Sequence, residues 1–120
     1  MYSPTIVKSA EDVESLVNAD PVQVAVGGSL TTMIGKKITI MCAAEGIPYP
    51  IERWTLDGNV ISFTENMFVQ RYENGSSALV IVESMPANSG MYVCIAVNQM
   101  GQDEASTVLS VLGKIALIFV

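Results

Sequence analysis

By residue type, Cys42 and Cys94 are the clearest candidates for covalent chemistry, and they stand 52 positions apart. Two thiols cannot complete a four-cysteine metal site, but they can close one disulfide. The 120 residues contain no histidine. That absence removes Ser–His–Asp catalysis, Cys–His catalysis and histidine-ligated zinc together. The acidic residues form no convergent pair. Asp103 and Glu104 are adjacent, so on a strand they face opposite ways and share a cation poorly. No glycine-rich phosphate loop and no metal-ligand spacing occurs. The expectation is therefore a non-enzyme with no cofactor, no metal site and no catalytic residue. Twelve acids against six bases give a formal charge of −6. Such a chain repels phosphates and is not expected to bind nucleic acid, and Lys36-Lys37 is too small a basic patch to change that.

The elements that must position these residues are short strands. The chain is 50% hydrophobic and 15% charged, enough for one core and one domain. Residues 1–20 read as an acidic linker with four acids and one lysine. In it Ser9 caps a short helical turn with Asp12 three residues on, and Val13, Leu16 and Val17 share one face. From Pro21 the pattern changes to β-rich runs separated by turn signals. Lys36–Ala43 alternates Ile38, Ile40 and Cys42 with Lys37, Thr39 and Met41, the period of a half-buried strand. Further runs are Pro21–Val26, Glu52–Leu56, Phe68–Tyr72, Ala78–Val82, Gly90–Asn98 and Ala105–Leu112. Asp57-Gly58 and Asn74-Gly75 mark turns. Gly46-Ile47-Pro48-Tyr49-Pro50 is a rigid loop. This spacing predicts an all-β sandwich over 21–113. Met67, Phe68 and Phe63 are expected to cluster in its core. Ile115–Val120 is an apolar tail over 114–120, too short to span a membrane and interrupted by Lys114. Met1–Lys8 does not read as a signal peptide, so the chain is expected to be a piece of a longer protein.

Trp54 follows Cys42 by 12 residues, and Tyr92 precedes Cys94 by two. Around them stand Gly46-x-Pro48-x-Pro50, Trp54-x-x-Asp57-Gly58, Leu79-x-Ile81, Gly90-x-Tyr92-x-Cys94 and Ala96-x-Asn98-x-x-Gly101. In this order the chain resembles the immunoglobulin I-set family from about Pro21 to Leu112. The resemblance implies a two-sheet antiparallel Greek-key sandwich. It implies a Cys42–Cys94 bridge covered by Trp54, with Leu79 and Ile81 in the core and Tyr92 as a tyrosine corner. Such a bridge contributes roughly 4 kcal/mol by loop entropy. The lead-in Gly28-Ser29-Leu30-Thr31-Thr32 is similar to immunoglobulin repeats of secreted matrix proteins of the ADAMTS-like, papilin, hemicentin and peroxidasin kind. Cell-adhesion receptors resemble it nearly as well. Two positions depart from the family. Asn88 replaces the usual Asp, so a local ion pair is lost. Glu52 replaces an apolar residue and is expected near the mouth of the sandwich, unless it finds a partner or raises its pKa.

If Tyr92, Cys94 and Ala96 point inward, Met91, Val93, Ile95 and Val97 point outward, and Val108 on the next strand joins them. An apolar outer face is a candidate protein-binding surface, although branched residues favour strands in any case. Tyr49, held between two prolines, is a second candidate. Asn74-Gly75-Ser76 is an N-glycosylation sequon as well as a turn. The resulting expectation is an extracellular module for protein interaction, adhesion or spacing. Its partners are matrix or cell-surface proteins, including a second copy docked on the outer face of the Cys94 strand, with no membrane insertion. The alternative is an intracellular structural repeat of the titin kind, with reduced cysteines.

Overall fold

The computed structural model describes residues 1–8, 13–15 and 21–113, the segment 13–15 by its backbone alone. Among the described residues twelve strands are laid out in chain order. They are β1 (Tyr2–Ile6), β2 (Val13–Ser15), β3 (Val22–Ala25), β4 (Ser29–Met33), β5 (Ile38–Cys42), β6 (Ala44–Ile47), β7 (Ile51–Leu56), β8 (Asn59–Val60), β9 (Met67–Arg71), β10 (Ser77–Ile81), β11 (Gly90–Asn98) and β12 (Gly101–Leu112). A short 3₁₀ turn, Pro86–Asn88, precedes β11.

One sheet has the order β3-β5-β10-β9 and the other β2-β4-β12-β11-β7-β8, while β1 pairs with β6. Neighbours distant in sequence, such as β5 with β10 and β7 with β11, are Greek-key connections. The sandwich is all-β, as the sequence implies. Alternation decides which side chains enter it: Ile38, Ile40 and Cys42 of β5 are buried while Thr39 and Met41 are half-buried. β10 is buried at all five positions. Its outward Ala78 and Val80 are small and sit in register between Met41 and Gln70 and between Thr39 and Phe68. The core joins Leu30, Ile38, Ile40, Leu79, Ile81, Tyr92 and Leu109 around Cys42, Cys94 and Trp54.

The N-terminal region departs from the sequence reading. Residues 2–6, expected as linker, form β1, whose Ile6 amide donates to Asp103 Oδ2 at 3.0 Å. Asn98 Nδ2 donates to the Tyr2 carbonyl at 2.9 Å. Val13–Ser15 lie on a strand parallel to β4 rather than on a helical turn. Ser9, Asp12, Leu16 and Val17, and the tail from Lys114, lie outside the described residues. Among the described residues three ladders are parallel: β2 with β4, β4 with β12, and β3 with β5. Between β3 and β4 the chain crosses from one sheet to the other at Gly27-Gly28, with φ of 133° and 61°. Only glycine adopts both without strain. The Gly27 amide donates to Thr107 Oγ1 at 2.8 Å, which fixes the crossing against β12.

The expected Phe63–Met67–Phe68 core cluster does not form. Met67 packs on the core, but Phe63 and Phe68 are exposed. Phe68 lies on the outward face of β9, at the edge of its sheet.

Candidate functional site

β5 and β11 bring Cys42 and Cys94 together as a disulfide, with S–S 2.13 Å and Cα–Cα 6.5 Å. In register, Cys94 faces Trp54 on β7, and Cys42 faces Ser77 on β10. Trp54 Nε1 donates to Ser77 Oγ at 2.9 Å. Tyr92 is fully buried, and its hydroxyl donates to the Asn88 carbonyl at 2.5 Å, the tyrosine corner the resemblance implies. Burial, with the nearby Asp57 carboxylate, pushes this phenol up to about 12. Asn88 cannot ion-pair, but its Oδ1 accepts from the Met85 amide at 2.8 Å and so caps the 3₁₀ turn. Leu79 and Ile81 are fully buried.

Glu52 is not at the rim. It is 1% exposed, one row along β7 from Trp54 and directly opposite Ala96 of β11. The small Ala96 leaves the carboxylate room inside. The Ser77 hydroxyl donates to Glu52 Oε1, so a chain of hydrogen bonds runs from Trp54 through Ser77 to Glu52. Glu52 Oε2 has no hydrogen-bond partner among the described residues. Burial raises this carboxyl from 4.5 to about 7, outweighing the Ser77 hydrogen bond and the Arg71 charge, which pull it down. Arg71 itself donates to the Glu52 carbonyl at 2.8 Å.

The same period of two that turns Trp54 and Glu52 inward turns Ile51, Arg53 and Thr55 outward. The outer face of β7, β11 and β12 is therefore a set of cross-strand rows. Met91 pairs with Val108. Val93 lies between Thr55 and Ser106, Ile95 between Arg53 and Glu104, and Val97 between Ile51 and Gln102. Met91, Val97 and Val108 are exposed, and Val93 and Ile95 are half-buried. Ile51 is 77% exposed and was not singled out from the sequence. Its signal was its place in the alternation, three positions before Trp54. Beside it, Arg53, Val97, Asn98, Gln99 and Gln102 line an open groove of about 640 Å³. The face carries one basic flank, Arg53, and one acidic flank, Glu104, with apolar residues between.

Tyr49 is 67% exposed on its loop, which Asn98 Nδ2 ties down by donating to the Pro48 carbonyl at 3.0 Å. Asn74 lies in a tight turn, with its Oδ1 accepting from the Ser76 amide at 3.0 Å. Gly75 presses this turn on the Tyr49 loop: a Cβ added there would lie 2.7 Å from the Pro50 carbonyl and 3.4 Å from Tyr49 Cβ. The Tyr49 loop and the turn that carries the sequon are therefore neighbours.

The family profile for the immunoglobulin I-set domain matches residues 22–111. Human neural cell adhesion molecule 1 is 31% identical over 112 residues, which is 92% of this chain and 13% of that protein's length. The titin homolog of Caenorhabditis elegans is 36% identical over 81 residues, 68% of this chain and a share of that protein that rounds to 0%. Among solved structures, titin domains Z1Z2 in complex with telethonin superpose with a TM-score of 0.73 at 22% identity, over 93% of this chain and 48% of that one. The bridged cysteines, the buried tryptophan, the tyrosine corner and the profile match agree, and the chain belongs to the immunoglobulin I-set family.

Proposed function

We propose that this chain is a non-catalytic interaction module of a cell-surface or matrix protein. It docks through the outer face of β7, β11 and β12, and a second copy is the partner that face fits best. The observation that carries this reading is the row Arg53–Ile95–Glu104. A two-fold axis lying in the interface along β11 sets Ile95 on Ile95 and each Arg53 over the other copy's Glu104, an isologous contact with complementary charge. Arg53 makes no ion pair within the described residues. The kinship with a neural cell adhesion molecule supports the cell-surface setting.

Sedimentation tests this. The wild type should self-associate, and Val93→Lys with Ile95→Thr should abolish the association. Arg53→Glu and Glu104→Arg should each weaken it, and the two together should restore it. A wild type that stays monomeric at about 1 mM, where even a bond of about 4 kcal/mol would show, refutes the homophilic contact.

The kinship with a titin homolog favours a second reading, an intracellular structural repeat whose cysteines stay reduced. Alkylating protein from its native source without prior reduction separates the two. Blocked cysteines mark the oxidising compartment, and alkylated ones mark the cytosol.

A further inference from the structure

Three groups able to ligate a metal meet inside the sandwich. The sulfurs of Cys42 and Cys94 and a carboxylate oxygen of Glu52 all lie within 4.8 Å of one another. All three residues are at least 99% buried. The oxidised bridge offers the carboxylate nothing, because a disulfide carries no charge and donates no hydrogen bond. Glu52 Oε2 is accordingly left unpartnered in the core, where an uncompensated polar atom is costly. A second, positively charged neighbour would remove that cost, and reduction of the bridge creates a place for one.

We propose that, once the bridge is reduced, Cys42, Cys94 and Glu52 together hold a single thiophilic divalent cation of the zinc class. A dithiol reductant supplies two electrons and two protons. The S–S bond breaks, two thiols form, and the reductant leaves as its own disulfide. The cation then displaces both thiol protons, and the carboxyl proton where present, to solvent. Zinc takes thiolates at about 2.3 Å and carboxylate oxygen at about 2.0–2.2 Å, so the two sulfurs need to stand about 3.7 Å apart. The Cα atoms stand 6.5 Å apart, and reduction frees both side chains to rotate toward that separation. Ser77, bonded to both Trp54 and Glu52, holds the carboxylate in place for the ion. A surface groove of about 270 Å³ has Glu52 and Arg71 in its lining. In a reducing compartment the ion would then cross-link β5, β7 and β11, where the cystine otherwise links β5 and β11. This site is independent of the docking face, and its test does not depend on that face.

The full chain, reduced with a phosphine and titrated with Co²⁺, should show thiolate-to-cobalt charge transfer and visible ligand-field bands at one equivalent, and Zn²⁺ should bleach them. Glu52→Gln should weaken binding at least about tenfold. Cys42→Ser should reduce the charge-transfer band and the affinity further. Trp54 fluorescence reports whether each protein is folded. A reduced, folded wild type without charge-transfer bands overturns the proposal, and so do equal bands and equal affinity in Glu52→Gln. If reduction alone unfolds the chain, Co²⁺ or Zn²⁺ should restore the native Trp54 emission in the wild type but not in Cys42→Ser. Failure of that rescue also overturns it.

Discussion

Replacing Glu52 by glutamine, with the disulfide intact, isolates the energetic consequence of the buried carboxyl. Its pKa is about 7 in the folded chain against 4.5 in the unfolded one. A raised folded pKa means that the native state binds the proton more tightly. Its stabilising contribution is complete below pH 4.5, falls as the pH rises, and is lost above about 7. At 1.36 kcal/mol per pKa unit, the span amounts to about 3 kcal/mol between pH 4 and pH 8. That is a large part of the stability of a domain of this size. Exposed carboxylates titrate over the same range, so the wild-type profile alone is not diagnostic. The difference between wild type and variant is, because the amide of the variant does not ionise and the other groups are common to both. Urea unfolding followed by Trp54 fluorescence, at half-unit steps from pH 4 to pH 8, gives both curves. The Glu52→Gln variant should gain about 3 kcal/mol relative to the wild type over that interval, with most of the gain complete by pH 7. Parallel curves would refute the reasoning. They would mean that Glu52 reaches solvent or a cation and that the core does not raise its pKa.

Other perturbations follow the same structure. Tyr92→Phe removes the donor to the Asn88 carbonyl and should cost about 1–3 kcal/mol in urea unfolding. Gly75→Ala forces a Cβ against the Pro50 carbonyl at a φ of +87°, and should lower stability by about 2–3 kcal/mol while leaving the sequon intact. Chain secreted from eukaryotic cells should carry a glycan mass that Asn74→Gln removes. Removal should also raise the reactivity of Tyr49 toward aqueous iodination, because the two loops touch.

What the sequence made legible was local pattern. β11 was read with its observed limits, because Tyr92, Cys94 and Ala96 alternate cleanly and glycine and asparagine bound the run. β5 and β7 were read nearly as well, and Asp57-Gly58 does turn the chain, with positive φ at both residues. β1 was not legible. Tyr2–Ile6 contains a proline and no alternation, and it is ordered by partners 97 and 96 positions away, Asp103 and Asn98. The parallel pairing of β3 with β5 also has no local signal, since period and turn residues say nothing of strand direction. Glu52 was misplaced for a related reason. Charge argues for the rim, but the room beside Ala96 and the hydroxyl of Ser77 come from other strands. Phe63 and Phe68 failed in the opposite sense, because apolar type alone does not say which face of an edge strand is covered.

β7 carries both halves of the molecule's chemistry on alternate residues. Trp54 and Glu52 face the bridge, while Ile51 and Arg53 face outward. A one-residue slip of this strand would exchange the two sets and destroy both. The inward row prevents it: Trp54 and Glu52 are both tied to Ser77 of the opposite sheet, and Arg71 grips the Glu52 carbonyl. The buried hydrogen bonds behind the outer face thus help to hold its register. Substitutions at the exposed Ile51 and Arg53 should then change docking while moving stability by no more than about 0.5 kcal/mol. Inward substitutions should change stability, and should spare docking for as long as the register holds. A charge reversal at Arg53 that unfolded the domain would show that the outer face is structural and not a docking surface.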